Sequence, residues 1–207
     1  MNIIFIKINR CLIGCNCNYI IMIERTIKDN VLSLLGSKKA IIIIGARQVG
    51  KSTLLSMLTS AKPKIANYHF TTINPNLGVV QMFDDSFVIA DIPGLIEGAS
   101  DGAGLGHYFL RHIERVRLIV HIVDISGSEG RDPLDDYHKI NQELEAYSLK
   151  LGSLPQIVVA NKADMLEDPA YLEEFSKKIG KKVHLISAII GEGLKDLLTD
   201  IKQQVDE

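Results

Sequence analysis

The sequence predicts an α/β domain whose sheet is mostly parallel, with one antiparallel edge strand and helices on both faces. Three observations carry this. Short, almost wholly apolar runs rich in β-branched residues recur in "AIIIIG", "VRLIVHIVDIS" and "PQIVVANKAD", and strands buried on both faces read this way. Stretches with apolar residues at helical spacing lie between them, so strand and helix alternate. A glycine-bearing stretch, "GARQVGKS", follows the first run directly and leads into a helical pattern, a strand–loop–helix unit.

The 207 residues suffice for one such domain with a real core. Twenty-three Lys and Arg face 25 Asp and Glu, so bulk charge does not point to nucleic acid. Residues 1–21 hold apolar runs broken by Lys7, Asn9 and Arg10. That pattern is too interrupted for a membrane span of about 20 apolar residues. They are expected to be an unstructured or spurious leader, with translation starting at Met22. Cys11, Cys15 and Cys17 all fall in this lead. Their C-x3-C-x-C spacing has no second pair downstream, which argues against zinc. With no cysteine in the body of the chain, a reducing cytoplasm is the expected compartment.

The elements follow in order. "ERTIKDNVLSLLGSKK" places Ile27, Val31, Leu34 and Leu35 on one helical face, with Gly36 to close it. "AIIIIG" is a central strand, and the next helix begins near Ser52. "LGVVQMF" and "SFVIADI" form an antiparallel hairpin around Asp84 and Asp85. "VRLIVHIVDIS", "PQIVVANKAD" and "KKVHLISAI" are further strands, and helical patterns cover 107–115, 136–150, 169–178 and 192–205.

Five motifs follow, and all but "FTTIN", which lies between the first helix and the hairpin, fall at carboxyl ends of these strands, where open α/β sheets bind ligands. Gly45, Ala46, Arg47, Gln48, Val49, Gly50, Lys51 and Ser52 fit G-x4-G-K-[ST]. Such a loop wraps phosphates in backbone N–H groups at a helix N-terminus. Lys51 would neutralise β- and γ-phosphates, and the Ser52 hydroxyl would ligate Mg²⁺. In "DIPG", Asp91, Ile92, Pro93 and Gly94, the carboxylate would hold Mg²⁺ through water, and the Gly94 N–H would reach the γ-phosphate. In "FTTIN", Phe70, Thr71, Thr72, Ile73 and Asn74, a threonine hydroxyl would complete the Mg²⁺ shell and let go after hydrolysis, making the segment a switch.

"NKAD", Asn161, Lys162, Ala163 and Asp164, selects the base. One carboxylate, Asp164, accepts both N1–H and N2–H of guanine. Adenine lacks that donor pair and would leave the carboxylate unpaired. Asn161 can bond the other edge of the base and tie loops together, and the Lys162 stem can lie along the base plane. "SAI", Ser187, Ala188 and Ile189, would offer a backbone N–H to guanine O6.

From Val49 to about Val205, roughly three quarters of the chain, the sequence resembles the GTPase domain of the Obg family of bacterial ribosome-assembly GTPases. The resemblance rests on "VGKSTLLSMLTSAKPKIANYHFTTINPNLGVV", "ADIPGLIEGASDGAGLGHYFLRHIERVRLIVHIVDISGSEGRDPLDDYHKINQELEAY" and "LPQIVVANKADM". It implies a P-loop NTPase fold of the Ras-like type that binds GTP and GDP as a monomer off the membrane, with the large ribosomal subunit as partner. It makes Ser52 and Thr72 direct Mg²⁺ ligands and gives catalytic roles to Lys51, Thr72 and Gly94. Nucleotide contacts would come from all the motif residues named above. Leu95 stands where Ras-like enzymes place a water-orienting Gln, so intrinsic hydrolysis should be slow. His107 is a lesser candidate for contacting water or a partner.

The resemblance has departures. The chain is expected to lack the family's glycine-rich N-terminal domain, its docking element, and any C-terminal domain. Arg47-Gln48 stands where the family has Pro-Asn, and that Asn is linked to potassium in related GTPases. Gln48 keeps the amide oxygen on a longer arm, so potassium stimulation stays open. Residues 22–48 resemble instead the opening helix and strand of a bacterial AAA-type ATPase, which would make the chain a chimera. Two alternatives follow, an AAA-type ATPase and a nucleotide-binding fragment that does not hydrolyse.

Overall fold

The computed structural model describes residues 40–59, 64–65, 76–82, 85–91 and 116–206. The lead with its cysteines, the expected helices over 24–36 and 107–115, and segments 70–74 and 92–95 lie outside the described residues.

Seven strands form one sheet: β1 (Ala40–Ile44), β2 (Lys64–Ile65), β3 (Asn76–Met82), β4 (Asp85–Asp91), β5 (Val116–Asp124), β6 (Gln156–Asn161) and β7 (Val183–Leu185). Their order is β2-β3-β4-β1-β5-β6-β7. β1 runs parallel to both β4 and β5, and β6 and β7 continue the parallel series. β3 is antiparallel to both its neighbours. The helices are α1 (Lys51–Leu58), α2 (Pro133–Tyr147), a short α3 (Leu149–Gly152), α4 (Ala170–Ile179) and α5 (Leu194–Asp206). None of the described helices is long and apolar enough to cross a membrane.

β1 shows why its sequence does not alternate. Ile41 and Ile43 pack with Leu54 and Leu55 of α1 and with Leu197 and Ile201 of α5. Ile42 and Ile44 pack on the other face with Ile140 and Leu144 of α2. Each of these four isoleucines is at most 3% exposed, and burying such a side chain stabilises by about 1.5–3 kcal/mol. A third apolar group, Val123, Tyr137, Val158 and Phe175, seats α2 and α4 near the sheet's C-terminal half.

Some boundaries differ from the sequence expectation. β3 is not the outermost strand, because two-residue β2 pairs beyond it. Two residues carry no readable period. Asp85, expected in the turn, pairs with Met82 and opens β4. α2 starts three residues before Asp136 because Asp132 caps it, its carboxylate accepting from the Leu134 and Asp135 N–H groups at 2.7 and 3.0 Å. Pro133, at the first helical position, needs no N–H partner. The helical pattern expected to run to Lys150 breaks at Ser148, which closes α2 and caps α3. The strand expected over "KKVHLISAI" shortens to Val183–Leu185, and Ile186 to Ala188 turn away to build the site.

Candidate functional site

The loop between β1 and α1 is the first wall of the site. Gly45, Gln48 and Gly50 adopt positive φ, at 149°, 61° and 94°. Gly50 has a second reason to be glycine: a Cβ there would lie 2.3 Å from Asn161 Nδ2.

Side-chain donors hold the loop's carbonyls. Lys51 Nζ donates to Gly45 O and, at 2.9 Å, to Ala46 O. Arg131 Nη2 donates to Arg47 O. Asn161 Nδ2 donates to Val49 O at 2.8 Å. No peptide among the described residues is cis. In a trans peptide the N–H points opposite to the C=O. Each held carbonyl therefore turns the N–H of the next residue, Ala46, Arg47, Gln48 or Gly50, away from the donor.

Asp91, at the end of β4, is 1% exposed. Its Oδ2 accepts from Ser52 Oγ at 2.8 Å and lies 3.5 Å from Asn76 Nδ2. Its Oδ1 is buried with no hydrogen-bond partner among the described residues. An orphaned buried carboxylate oxygen is costly. A hydrated cation would relieve it, and a serine hydroxyl beside a carboxylate is the oxygen chemistry that Mg²⁺ takes. Among the described residues no three His, Cys, Asp or Glu side chains cluster as metal ligands. Among the described residues, Ser52 and Asp91 are the groups placed to hold a cation here.

The second wall lies at the ends of β5, β6 and β7. Asn161 is 3% exposed. Besides holding Val49 O, it accepts from the Ala188 N–H at 2.9 Å. One amide therefore joins the phosphate loop to the loop after β7. Lys162 has φ 66°, and its Nζ sits 2.7 Å from both Asp124 Oδ2 and Ser128 Oγ. Asp164 is exposed, and its Oδ1 accepts from the buried Ser187 hydroxyl. Ala163 N–H bonds Ile186 O at 3.0 Å, closing this loop onto the strand end. Ala188 is buried, whereas Ile189 is 73% exposed.

Of the sequence-predicted residues, Gly45 to Ser52, Asp91, Asn161 to Asp164 and Ser187 to Ile189 gather along this edge of the sheet. Phe70 to Asn74, Ile92 to Gly94, Leu95 and His107 lie outside the described residues. Asp164 lies at the surface, because the three-residue turn after Asn161 carries it off the strand end.

Sequence reasoning missed Asp124 and Arg131. Asp124 ends β5 directly opposite Asn161 at the end of β6, and is 5% exposed. It accepts from the Ser126 N–H at 3.1 Å, Ser126 Oγ at 2.6 Å and Ser128 Oγ at 2.7 Å. Burial alone would push its carboxyl up. Hydrogen bonds from Lys162, Ser126 and Ser128 overturn that and hold it below the usual carboxylate range. The signal was available: an Asp at the carboxyl end of a buried strand, followed by Ser126 and Ser128 in a turn. Arg131 carried no such signal.

The family model MMR_HSR1, described as 50S ribosome-binding GTPase, matches residues 40–162. The GTPase Obg of Clostridium novyi (strain NT) is 60% identical over 168 residues, which are 79% of this chain and 40% of that protein. The GTPase Obg of Clostridioides difficile (strain 630) is 56% identical over 169 residues, 80% of this chain and 40% of that protein. The chain thus spans about 40% of the length of these relatives. The G domain of the T. maritima FeoB iron transporter aligns with a TM-score of 0.57 at 20% identity, over 80% of this chain and 97% of that one. At that identity the likeness bears on the fold alone. Residues 40–48, the end of the stretch that resembles an ATPase, fall within the GTPase model match, which gives the ATPase resemblance no support.

Proposed function

Because the chain belongs to the 50S ribosome-binding GTPase family, we propose that it is a magnesium-dependent GTP-binding switch that hydrolyses GTP slowly to GDP and phosphate. One observation carries this reading. The same buried amide, Asn161, bonds the phosphate loop at Val49 and the base-side loop at Ala188. Phosphate and base sites are thereby set at a fixed spacing, as a nucleoside polyphosphate requires.

In this reading the loop N–H groups and Lys51 take the phosphates, with positive charge aimed where negative charge develops. Asp164, oriented by Ser187, accepts the two guanine donors, and the base covers a carboxylate that is otherwise in water. Ile189 offers an apolar surface beside that base. Ser52 and Asp91 would hold Mg²⁺, which when bound neutralises charge on the β- and γ-phosphate oxygens. In the switch reading the Thr72 hydroxyl completes the Mg²⁺ shell and the Gly94 N–H reaches the γ-phosphate. With Leu95 in place of a water-orienting Gln, turnover without a partner is slow.

Potassium is the second cation in question. Gln48 carries its amide oxygen from a left-handed backbone, and comparing hydrolysis in K⁺ and Na⁺ decides whether that oxygen serves. The large ribosomal subunit is the proposed partner, in the cytoplasm, with the chain acting as a monomer. Kinship supports the ribosomal assignment, while the near-balanced charge adds nothing to it.

Fluorescent GDP and ADP are titrated with Mg²⁺ against the chain and against Asp164→Ala. Tight GDP binding, lost in the variant, is the expected result. ADP binding in preference to GDP would overturn the guanine reading. GDP binding with no phosphate release from GTP, even over hours, would leave a binding module and overturn the hydrolase.

A further inference from the structure

We propose that Arg131 is a positioning residue for the phosphate loop, acting from outside every motif that marks the nucleotide site. The proposal rests on the guanine-nucleotide reading above. Its guanidinium reaches two places at once. Nη2 donates to Arg47 O, 84 positions earlier in the chain, and Nε pairs with Asp136 Oδ2 at 3.0 Å.

Three side chains hold the loop's carbonyls. Lys51 belongs to the loop motif and Asn161 to the base motif. Arg131 is the third and belongs to neither. It holds the carbonyl between the two held by Lys51 and the one held by Asn161. By the antiparallel geometry of a trans peptide, it sets the direction of the Gln48 N–H. Gln48 is also the loop's non-glycine residue at positive φ, a conformation disfavoured for an L-residue. The strained residue thus follows directly on the carbonyl that Arg131 grips.

Residues on both sides of Arg131 are held by contacts of their own. Asp136 lies in the first turn of α2, and its side chain is 16% exposed. Asp132, the next residue after Arg131, caps that helix. Gly130 bonds Gly127 O at 2.8 Å in the turn just before. The planar fork of arginine holds its two acceptors in fixed directions from separate nitrogens, a geometry that the compact lysine ammonium does not reproduce. Arg131 therefore couples the helix after β5 to the loop after β1.

The test uses the full chain with Arg131→Gln, Arg131→Lys and Asp136→Asn. Dissociation of fluorescent GDP and equilibrium binding of GDP, GMP and guanosine are measured, with thermal melting of the nucleotide-free proteins. Arg131→Gln should weaken GDP roughly tenfold, the scale of one lost charge-assisted hydrogen bond. The loss should shrink for GMP and vanish for guanosine, because only the phosphate wall moves. Arg131→Lys should not restore binding, and Asp136→Asn should give a smaller loss of the same pattern. Preference for GDP over ADP should stay as in the wild type.

GDP binding unchanged in Arg131→Gln would overturn the proposal. So would equal losses for GDP and guanosine with a matching fall in melting temperature, which marks general loosening. A wild-type chain that binds no guanine nucleotide would overturn the underlying reading and the proposal with it. Wild-type binding that the Arg131 variants leave intact overturns the proposal alone.

Discussion

At the scale of single residues, the site depends on side chains that hold other side chains. Lys162 is the base-motif lysine, and Asp124 fixes it with a 2.7 Å ion pair while Ser126 and Ser128 fix Asp124. Asp124→Asn keeps the shape and removes the charge. GDP affinity should fall about tenfold, with the preference for GDP over ADP unchanged because Asp164 is untouched. Titration calorimetry with both nucleotides checks this, and full affinity in the variant would show that Lys162 needs no anchor. The sequence made the motif residues legible because chemistry restricts them to a few types at fixed spacing. Asp124 and Arg131 were harder to find because each is defined by a contact with a distant segment. Local spacing carries no record of such a contact.

At the scale of elements, the helix after β5 matters most. α2 begins at a Pro with an Asp cap, and its position sets Arg131 and Asp136. Asp132→Ala removes the carboxylate oxygen that accepts from two N–H groups and should lower stability by about 1 kcal/mol. Urea unfolding would show it, and an unchanged midpoint would mean that Pro133 alone fixes the helix start. The same variant should speed GDP release slightly, because the first turn of α2 carries Asp136. Most strands and helices could be read from hydrophobic period, since burial on one or two faces writes that period directly. β2 could not, and the end of β7 could not. The first is too short for a period, and at the second the apolar run continues into a turn that leaves the sheet.

At the scale of the whole molecule, His121 couples folding to pH. It lies in β5, fully buried, stacked on Tyr137 with centroids 4.9 Å apart. Its Nδ1 lies 3.5 Å from Asn141 Nδ2, and its Nε2 has no partner among the described residues. Burial, reinforced by the positive charges of Lys181 and Lys51 and opposed by Gln156, lowers its pKa to about 3. The unfolded chain binds this proton near pH 6.5 and the folded chain only near 3. Protons therefore favour the unfolded state throughout that window. The contribution of His121 should be flat above pH 6.5 and should lower stability by about 1.4 kcal/mol per unit as pH drops toward 3. Asp124, with its pKa lowered, adds a further loss below about pH 3.8. Urea unfolding of nucleotide-free protein at pH 7 and pH 5 tests the first limb. His121→Gln should flatten it, and an equal slope in that variant would assign the acid sensitivity elsewhere.

The sequence by itself determined the α/β fold and the central strand, and it set the motif residues at the ends of strands. Each is encoded locally, by a run of buried side chains or by residue types at short spacing. Only the tertiary structure decided that Asn161 spans from Val49 to Ala188, that Ser187 bonds Asp164, that Asp124 pairs with Lys162 and that Arg131 bonds Arg47. Those contacts join strand ends far apart in the chain. Their geometry follows from strand order and register, which packing of the whole sheet sets and no single segment contains.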